Sequence, residues 1–448
     1  MTEAEKTSTD VLPGAPKKLR APEILRALRH RNFQLFFSGQ LISLIGTWMD
    51  NVAEGWLVYR LTHSSLLLGV ATFAGQFPVF LLAPLGGMIA DRWDRRKIVI
   101  GTQTSSMILA FILAILTLAR IVTVREVIIL AAFMGMVNAV DIPTRQAFLV
   151  EMVGRDDLMN AIALNSSMFN AARVIGPSIA GVVVAWKGEG WCFFANAVSY
   201  IAVIAGLIAM KVKQKAAVHV PSPMEHIAEG FRFARGTAPI RAILLLIALV
   251  SLVATPYAVL MPIFAARVLH GNARTLGVLM AASGIGAVAG ALLLAARSGV
   301  KGLGRWVALA CAGFGSALIL FSFSRSYPLS VALLLPVGFC GMVQMASSNT
   351  LIQAMVPDRL RGRIMSIYSM MFMGMVPLGS LLAGAVAARI GAPWTVAIGG
   401  TAGIIGAIIF GRNLPRLRVE ARQLILAQGL AGGEPARELE SPSVPGVP

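Results

Sequence analysis

Charged residues stand inside stretches of sequence that are otherwise apolar, and their spacing could support proton transfer. Asp50 and Glu54 are four residues apart, as are Asp141 and Arg145, while Arg173 stands alone. Residues four apart share one face of a helix, so the first pair brings two carboxyl groups together and the second pair can form an ion pair. Repulsion between the acids and burial both favour a protonated carboxyl group. These five residues are therefore candidates for proton coupling or substrate binding.

Simpler interpretations of the same residues stay open. Glu54 or Asp50 could lie near the outer mouth of the molecule, where a carboxylate is merely solvated. Arg145 and Arg173 could be structural partners of the acids, or they could compete with a proton for the Asp50 carboxylate. A charge at bilayer depth costs about 2.5–3.5 kcal/mol by insertion scales, so each of these residues needs a partner or a function.

The apolar stretches themselves have the length of transmembrane helices. Only 13% of the 448 residues are charged and 56% are hydrophobic, whereas an ordinary soluble domain is about 25% charged. A helix needs roughly 20 apolar residues to cross the hydrocarbon core. The sequence therefore predicts an all-α integral membrane protein with twelve transmembrane helices, near residues 33–59, 67–90, 97–119, 126–150, 160–186, 191–210, 240–266, 275–296, 304–324, 328–355, 364–388 and 393–411.

The twelve spans fall into two groups of six, which indicates two pseudo-symmetric six-helix bundles. A shift of 203 residues aligns 152–181 with 355–384, including Gly181 with Gly384, and a shift of 208 aligns 68–70 with 276–278. Internal repeats of this kind are typical of transporter folds. We predict a cytoplasmic tail with an amphipathic helix over 1–32, bundles over 33–210 and 240–412, a cytoplasmic linker over 211–239, and a disordered cytoplasmic tail over 413–448.

The basic residues indicate how the spans are oriented. If the connections alternate between the two sides of the membrane, 29 of the 39 Lys and Arg residues lie on the side that carries both termini, and 8 lie on the other side. The positive-inside rule then places both termini in the cytoplasm. The net charge of +18 is explained by topology, so we predict no nucleic-acid partner.

The loop after span two, residues 87–97, reads Gly-Met-Ile-Ala-Asp-Arg-Trp-Asp-Arg-Arg-Lys. Its glycine would let two helices approach closely, and Asp91 could interact with the positive end of span eleven, near Ile364. Arg95 and Arg96 could pair with an acid on a neighbouring helix, for which Glu151 is the best candidate. We predict a conformational lock, with a plain topology-setting basic loop as the alternative, formed by Gly87, Asp91, Arg92, Arg95, Arg96 and Glu151.

Span five contains a second motif, in which Gly176, Pro177 and Gly181 stand close together. Small residues permit tight helix packing, and the proline removes a backbone hydrogen bond and bends the helix. The motif is therefore either a bend used for gating or a packing seam.

These motifs resemble those of the major facilitator superfamily. The loop over 87–97 resembles the superfamily's Gly-x-x-x-Asp-Arg-x-Gly-Arg-Arg signature, with Asp94 where many members have glycine, and 170–181 resembles the Gly-Pro motif of its exporters. Residues 138–148, together with 46–49 and 61–64, resemble the branch called transmembrane secretion effectors, which includes the enterobactin exporter. The resemblance runs from about 24 to 412.

The resemblance implies a secondary active transporter of the bacterial inner membrane. We expect a proton-coupled antiporter that exports a siderophore, drug-like or other amphipathic small molecule by alternating access. Tyr257, Tyr368 and Phe372 are possible cargo contacts, although such residues are also ordinary core or lipid-facing residues. Import or lipid flipping on the same fold stays an alternative.

A membrane-embedded enzyme is disfavoured, because the five histidines lie at span ends or in loops and form no catalytic group. A sensor is disfavoured, because we recognise no attached signalling domain in the sequence. The three cysteines, Cys192, Cys311 and Cys340, lack metal-site spacing. We therefore expect no metal and no cofactor. The expected partners are the small-molecule substrate, protons and the lipid bilayer, with the chain acting as a monomer.

Overall fold

The computed structural model describes residues 25–154, 156–210, 223–297 and 299–429, and within these ranges the chain forms helices joined by short turns, with no strand. A 3₁₀ turn at Arg26–Arg29 precedes the first long helix. The first half then contains six helices, α1 (Arg31–Thr62), α2 (Ser65–Arg92), α3 (Arg95–Leu118), α4 (Val124–Val153), α5 (Leu158–Lys187) and α6 (Glu189–Ala209).

A short helix, α7 (Pro223–Gly236), leads into the second half. That half contains α8 (Ala238–Val268), α9 (Ala273–Ala295), α10 (Leu303–Phe323), α11 (Tyr327–Met355), α12 (Asp358–Ile390) and α13 (Ala392–Gly429). Within α8 the α-helical geometry gives way to π and 3₁₀ turns over 250–268. Pro256 and Pro262 lie in this stretch and cannot donate a backbone hydrogen bond, which explains the irregularity.

In the described part of the chain, eleven helices are long and apolar enough to cross a membrane, namely α2–α6 and α8–α13. The exception is α1, which is 32 residues long but carries Gln40, Asp50 and Glu54 in its middle. Because α1 packs against α6 and α5 as part of the bundle, it is the first helix of the two-bundle architecture. The predicted all-α, twelve-helix membrane fold is confirmed.

Short polar side chains define the turns between the helices. Ser64 accepts a hydrogen bond from the backbone N–H of Leu67 at the start of α2, and Asp94 accepts one from Lys97 at the start of α3. Serine and aspartate are favoured at this position because their oxygens satisfy an amide that has no partner within the helix. The aspartate that departs from the superfamily loop signature is thus the N-cap of α3.

The bundle has two ends, for which we use two names. The basic face is the end with the α2–α3 turn and the starts of α5 and α12, at Leu158 and Asp358. The opposite face is the end with the α1–α2, α5–α6 and α12–α13 turns. Pairs of glycines join the halves near the opposite face. A Cβ added to Gly277 of α9 would lie 2.8 Å from Cα of Gly181 of α5, and one added to Gly384 of α12 would lie 3.1 Å from Cα of Gly69 of α2.

The segments outside the bundles differ from the sequence predictions. Of the predicted N-terminal amphipathic helix, only the 3₁₀ turn Arg26–Arg29 falls in the described residues. The predicted linker contains α7, whose Glu229 accepts a hydrogen bond from Arg363 of α12, while 211–222 lie outside the described residues. The predicted C-terminal tail is helical as far as Gly429, because Leu417 and Ile425 continue an apolar face that is buried against the second half.

Candidate functional site

A central cavity of about 430 Å³ lies between the two halves. Its first-half wall is polar and comes from α1–α4 and α6, whereas its second-half wall is apolar and comes from α8 and α9, through Ala258, Val259, Pro262, Leu276 and Met280. A cavity with one polar wall and one apolar wall suits an amphipathic molecule.

The acids of α1 lie in the wall of the cavity. Asp50 and Glu54 both line it and are half-buried, which confirms the shared helix face that their spacing predicts. The Asn196 side chain of α6 lies within hydrogen-bonding reach of the Asp50 carboxyl group. Among the described residues, neither acid forms an ion pair, and Arg145, which lines the same cavity, contacts Asp141. Their role in proton coupling stays a prediction.

The second charged pair forms a closed polar network. The Asp141 carboxylate is buried and lies 3.2 Å from the Arg145 guanidinium. It also accepts hydrogen bonds from Thr102 at 2.7 Å and from Gln103 at 2.9 Å, both on α3. The predicted pairing along α4 is confirmed. Arg145 also lines the cavity, so a paired cation faces the same space as the two unpaired acids.

Arg173 occupies a different position from the other candidates. Its guanidinium carbon lies 5.9 Å from the centre of the Trp48 ring, in a cation–π arrangement. Trp48 lines the cavity and also packs edge-on against Phe169, with 5.6 Å between the ring centres. Within the described residues Arg173 makes no ion pair, so the predicted bridge from Arg173 to an acid is not formed in this conformation.

Several residues that line the cavity were not predicted from the sequence. Amide side chains line the wall at Gln40, Gln76, Gln103 and Asn196, and Tyr200 lies among them. The Tyr200 hydroxyl is within hydrogen-bonding reach of Thr47 and Asn196. The signal that could have found them is the presence of uncharged amides at bilayer depth, which, like charges, need partners there.

None of the three predicted aromatic cargo contacts lines the central cavity in this conformation, so their contact with cargo stays a prediction. The Tyr368 ring is buried and its hydroxyl donates to the Met345 carbonyl, 3.1 Å away. The Tyr257 hydroxyl lies 2.9 Å from the Ser283 hydroxyl, and Phe372 packs against the hydrophobic core. Both tyrosine hydroxyls thus have partners within the second half.

The predicted lock loop forms a cluster within the first half. Arg95 lies 2.8 Å from the Glu151 carboxylate on α4 and 3.2 Å from Asp91, which confirms Glu151 as the acid partner. Arg96 donates to the carbonyl oxygens of Leu207 and Ile208, each at 2.7 Å, at the end of α6. These contacts tie the start of α3 to α4 and α6.

Two details of the lock prediction are not met. The Asp91 side chain is half exposed and contacts Arg95, and the start of α12 has no side-chain cap, so the contact between Asp91 and α12 is not made in this conformation. Gly87 faces open space, and it is Gly86 that permits close packing, because a Cβ there would lie 2.0 Å from the Ala139 carbonyl oxygen on α4. Arg92 is exposed. Successive helix residues point about 100° apart, so only one of the two glycines can face α4.

The Gly-Pro motif of α5 lies at a packing seam. A Cβ on Gly176 would lie 2.4 Å from Cβ of Trp48 on α1, and Gly181 packs against α9 through Gly277. The α5 helix continues through Pro177 as far as Lys187. The motif therefore joins α5 to both α1 and the other half, which favours the packing interpretation over an isolated hinge.

The described residues contain no group of three or more His, Cys, Asp or Glu side chains that could hold a metal ion. The site is a cavity between two bundles, with charged groups in one wall. Fold and site define a membrane transporter.

Comparison with known proteins leads to the same class of protein. The sequence profile of the transmembrane secretion effector family matches residues 23–431. The chain belongs to this family, and with it to the major facilitator superfamily, whose members are transporters rather than enzymes.

The relatives include siderophore transporters. The chain is 28% identical over 383 residues to the staphyloferrin A transporter of Staphylococcus aureus, covering 84% of this chain and 94% of that protein. It is 25% identical over 394 residues to the enterobactin exporter EntS of Shigella boydii, covering 88% and 93% of the two chains. The relatives are thus matched over nearly their whole length.

Solved structures share the fold. The nucleoside transporter NupG, in a point-mutant form, has a TM-score of 0.67 at 12% identity, covering 87% of this chain and 99% of that chain. A bacterial homologue of the iron transporter ferroportin has a TM-score of 0.66 at 14% identity, covering 85% and 98%. At this level of identity the likeness concerns the major facilitator fold alone.

Proposed function

We propose that this transporter is a proton-coupled antiporter that exports a siderophore or a similar amphipathic small molecule by alternating access. The observation that carries the proposal is that two acids without an ion-pair partner among the described residues, Asp50 and Glu54, lie in the wall of the central cavity. An acid that faces the cavity can bind a proton in one conformation and release it in the other. Its charge changes as it does so, which biases the equilibrium between two packed states.

The cargo class rests on the wall chemistry and on the relatives. Arg145 places a cation in the cavity, and the second-half wall supplies apolar contact. One relative is named for staphyloferrin A and another for enterobactin, and we propose the same class of cargo for this chain. Drug-like molecules of similar amphipathic character are the second candidates.

The proposed orientation of the chain in the membrane rests on the distribution of basic residues. The excess of Lys and Arg on the basic face supports a cytoplasmic location of that face and of both termini, in the bacterial inner membrane. Single cysteines in place of Ser64 and Arg235 test this assignment. An impermeant thiol reagent added outside cells should label the first and spare the second, and the reverse pattern would overturn the orientation.

Proteoliposomes with an imposed pH gradient test the coupling. With an acidic lumen, an antiporter should accumulate iron-free enterobactin or staphyloferrin A inside. Asp50→Asn should abolish this accumulation while leaving downhill flux, and Glu54→Gln should weaken it. Asp156→Asn, which neutralises an exposed acid in the α4–α5 turn, should have no effect.

Other outcomes would select another mechanism. Accumulation driven by an alkaline lumen would indicate symport, which fits the importer alternative. Transfer of labelled phospholipid between leaflets, without cargo accumulation, would indicate lipid flipping. Wild-type accumulation by Asp50→Asn and Glu54→Gln, singly and together, would move the proton site elsewhere, with Asp141 the next candidate.

A further inference from the structure

A second and larger cavity, of about 630 Å³, lies away from the central cavity and within the second half. We call it the α13 groove. It is bounded by the starts of α8 and α10, the end of α11 and the last turns of α13. Its apolar lining includes Pro239, Ile243, Leu351, Met355 and Phe410. The transport cycle proposed above assigns no role to this space.

The outer wall of the groove is the extension of α13 beyond the predicted end of the bundle. Leu414, Leu417, Ala421 and Ile425 all line the groove, at intervals of three and four residues that place them on one face of the helix. Leu417 and Ile425 are buried, whereas Val419 on another face is 61% exposed. The extension is thus an amphipathic helix whose apolar stripe closes the groove.

The rim of the groove is positively charged. Its lining includes the cationic residues Lys301, Arg305, Arg418 and Arg422, and no acidic residue. All four cations are exposed. They come from the start of α10 and from the α13 extension, so they lie at the basic face, at the level where helices leave the bilayer. The groove therefore combines an apolar interior with a cationic mouth.

This combination selects an amphiphile with a negatively charged head and an apolar chain. Basic pockets between helices at a membrane surface bind anionic lipid headgroups, and long basic side chains reach the headgroup region from helix ends. A volume of about 630 Å³ is within the usual range for a small-molecule site, roughly 300–1,000 Å³. The bilayer around the basic face supplies such a molecule directly.

We propose that the α13 groove binds one anionic phospholipid of the leaflet at the basic face. The phosphate lies among the four cations, and an acyl chain enters the apolar interior. The bound lipid joins the α13 extension to the starts of α8 and α10. Because all of these elements belong to the second half, the lipid stabilises that half as a unit and leaves the seam between the halves untouched.

Binding to the full-length protein in neutral detergent tests the proposal. Phosphatidylglycerol should raise the apparent Tm at low molar excess, and phosphatidylcholine should not. The double variant Arg305→Gln with Arg418→Gln should require at least about tenfold more phosphatidylglycerol, since each basic residue near a lipid surface contributes a severalfold effect. The matched control is Arg412→Gln with Arg416→Gln, which removes the same charge from exposed positions of α13 outside the groove lining.

Three results would overturn the proposal. If the groove variant and the control variant weaken phosphatidylglycerol binding equally, the binding depends on the general charge of the basic face and not on the groove. Competition by a modest excess of glycerol phosphate would mean that the groove holds a free anion rather than a lipid. Lipid binding that is seen only after removal of residues 430–448, which include Glu434, Glu438 and Glu440, would mean that this acidic segment is the native occupant.

Discussion

Gly181 of α5 packs directly against Gly277 of α9, and this contact has a symmetry-related copy. A Cβ on Gly181 would meet the Ala273 carbonyl oxygen and Cα of Gly277, each at 3.1 Å. A Cβ on Gly384 would meet the corresponding atoms of Ser65 and Gly69, at 2.6 and 3.1 Å. The sequence repeat with shifts of 203 and 208 residues therefore corresponds to the two contacts by which the halves close the opposite face.

Enlarging this seam should shift the transporter toward the state that is open at the opposite face. A Cβ on Gly277 would lie 2.5 Å from the Pro177 carbonyl oxygen, so Gly277→Ala should destabilise closure by about 1–3 kcal/mol. Spin labels at Lys187 and Arg274, one on each half, would report a longer distance. Gly101→Ala, where a Cβ meets open space, is the control, and an unchanged distance in Gly277→Ala would contradict the prediction.

The two acids beside Arg95 should contribute unequally to stability. Glu151 is 15% exposed and Asp91 is 48% exposed, and an exposed ion pair is worth about 0–1 kcal/mol. Glu151→Gln, which leaves a partly buried Arg95 with a weaker partner, should cost about 1–3 kcal/mol. Apparent Tm values of the purified variants check this order. A larger loss for Asp91→Asn would mean that Asp91 has a contact beyond Arg95.

We expect substitution of Asp141 to reduce stability, and substitution of Asp50 to affect transport but not stability. Asp141→Asn removes the carboxylate that holds Arg145, Thr102 and Gln103, so we expect a loss of about 1–3 kcal/mol in stability. Asp50→Asn keeps a hydrogen-bond acceptor for Asn196 and should leave the apparent Tm within about 1 °C of wild type. Both variants would be compared by thermal unfolding and by transport. Equal destabilisation would show that Asp50 is a structural residue as well.

The 3₁₀ turn Arg26–Arg29 should stay docked on the start of α5 at neutral and mildly acidic pH. His30 hydrogen-bonds to Asp157 at 2.7 Å, and Arg26 and Arg29 add positive charge, so the pKa of Asp157 lies below its usual range. A carboxylate whose pKa is lowered by folding stabilises the structure above its ordinary pKa, and that stabilisation is lost as the pH falls through the lowered value. We therefore expect no undocking through titration of Asp157 between about pH 5 and pH 8.

Hydrogen exchange checks this docking, because the Ala27 amide donates to the Asn160 side chain at 2.8 Å. Asp157→Asn should speed exchange of that amide severalfold at every pH in this range, after correction for the intrinsic rate. Asp156→Asn, one residue away, is the control. Equal protection in wild type and Asp157→Asn would show that the turn is held by other contacts.

The sequence by itself determined the features that depend on local geometry and on the bilayer. Membrane-length apolar runs predicted the helices, since only a helix satisfies every backbone group within one segment in lipid. The Asp141–Arg145 pair followed from a four-residue spacing that any helix imposes. The shared face of Asp50 and Glu54 followed in the same way. The prediction failed at the C-terminus because Leu417 stands among charged residues and Ile425 precedes a stretch rich in Gly, Pro and Glu. The average composition of 413–448 therefore did not reveal the apolar face of the helix.

Only the tertiary structure decided which way each helix faces and which helices meet. The choice of Gly86 over Gly87 against α4, and the inward turn of Tyr368 toward Met345, both depend on the rotation of a helix about its own axis. The grouping of Asn196 and Tyr200 with Asp50 depends on the packing of α6 against α1. Side-chain packing over the whole bundle sets the rotation of each helix and its neighbours. That packing depends on pairs of residues far apart in the sequence, and the spacing of residues along one helix does not reveal such pairs.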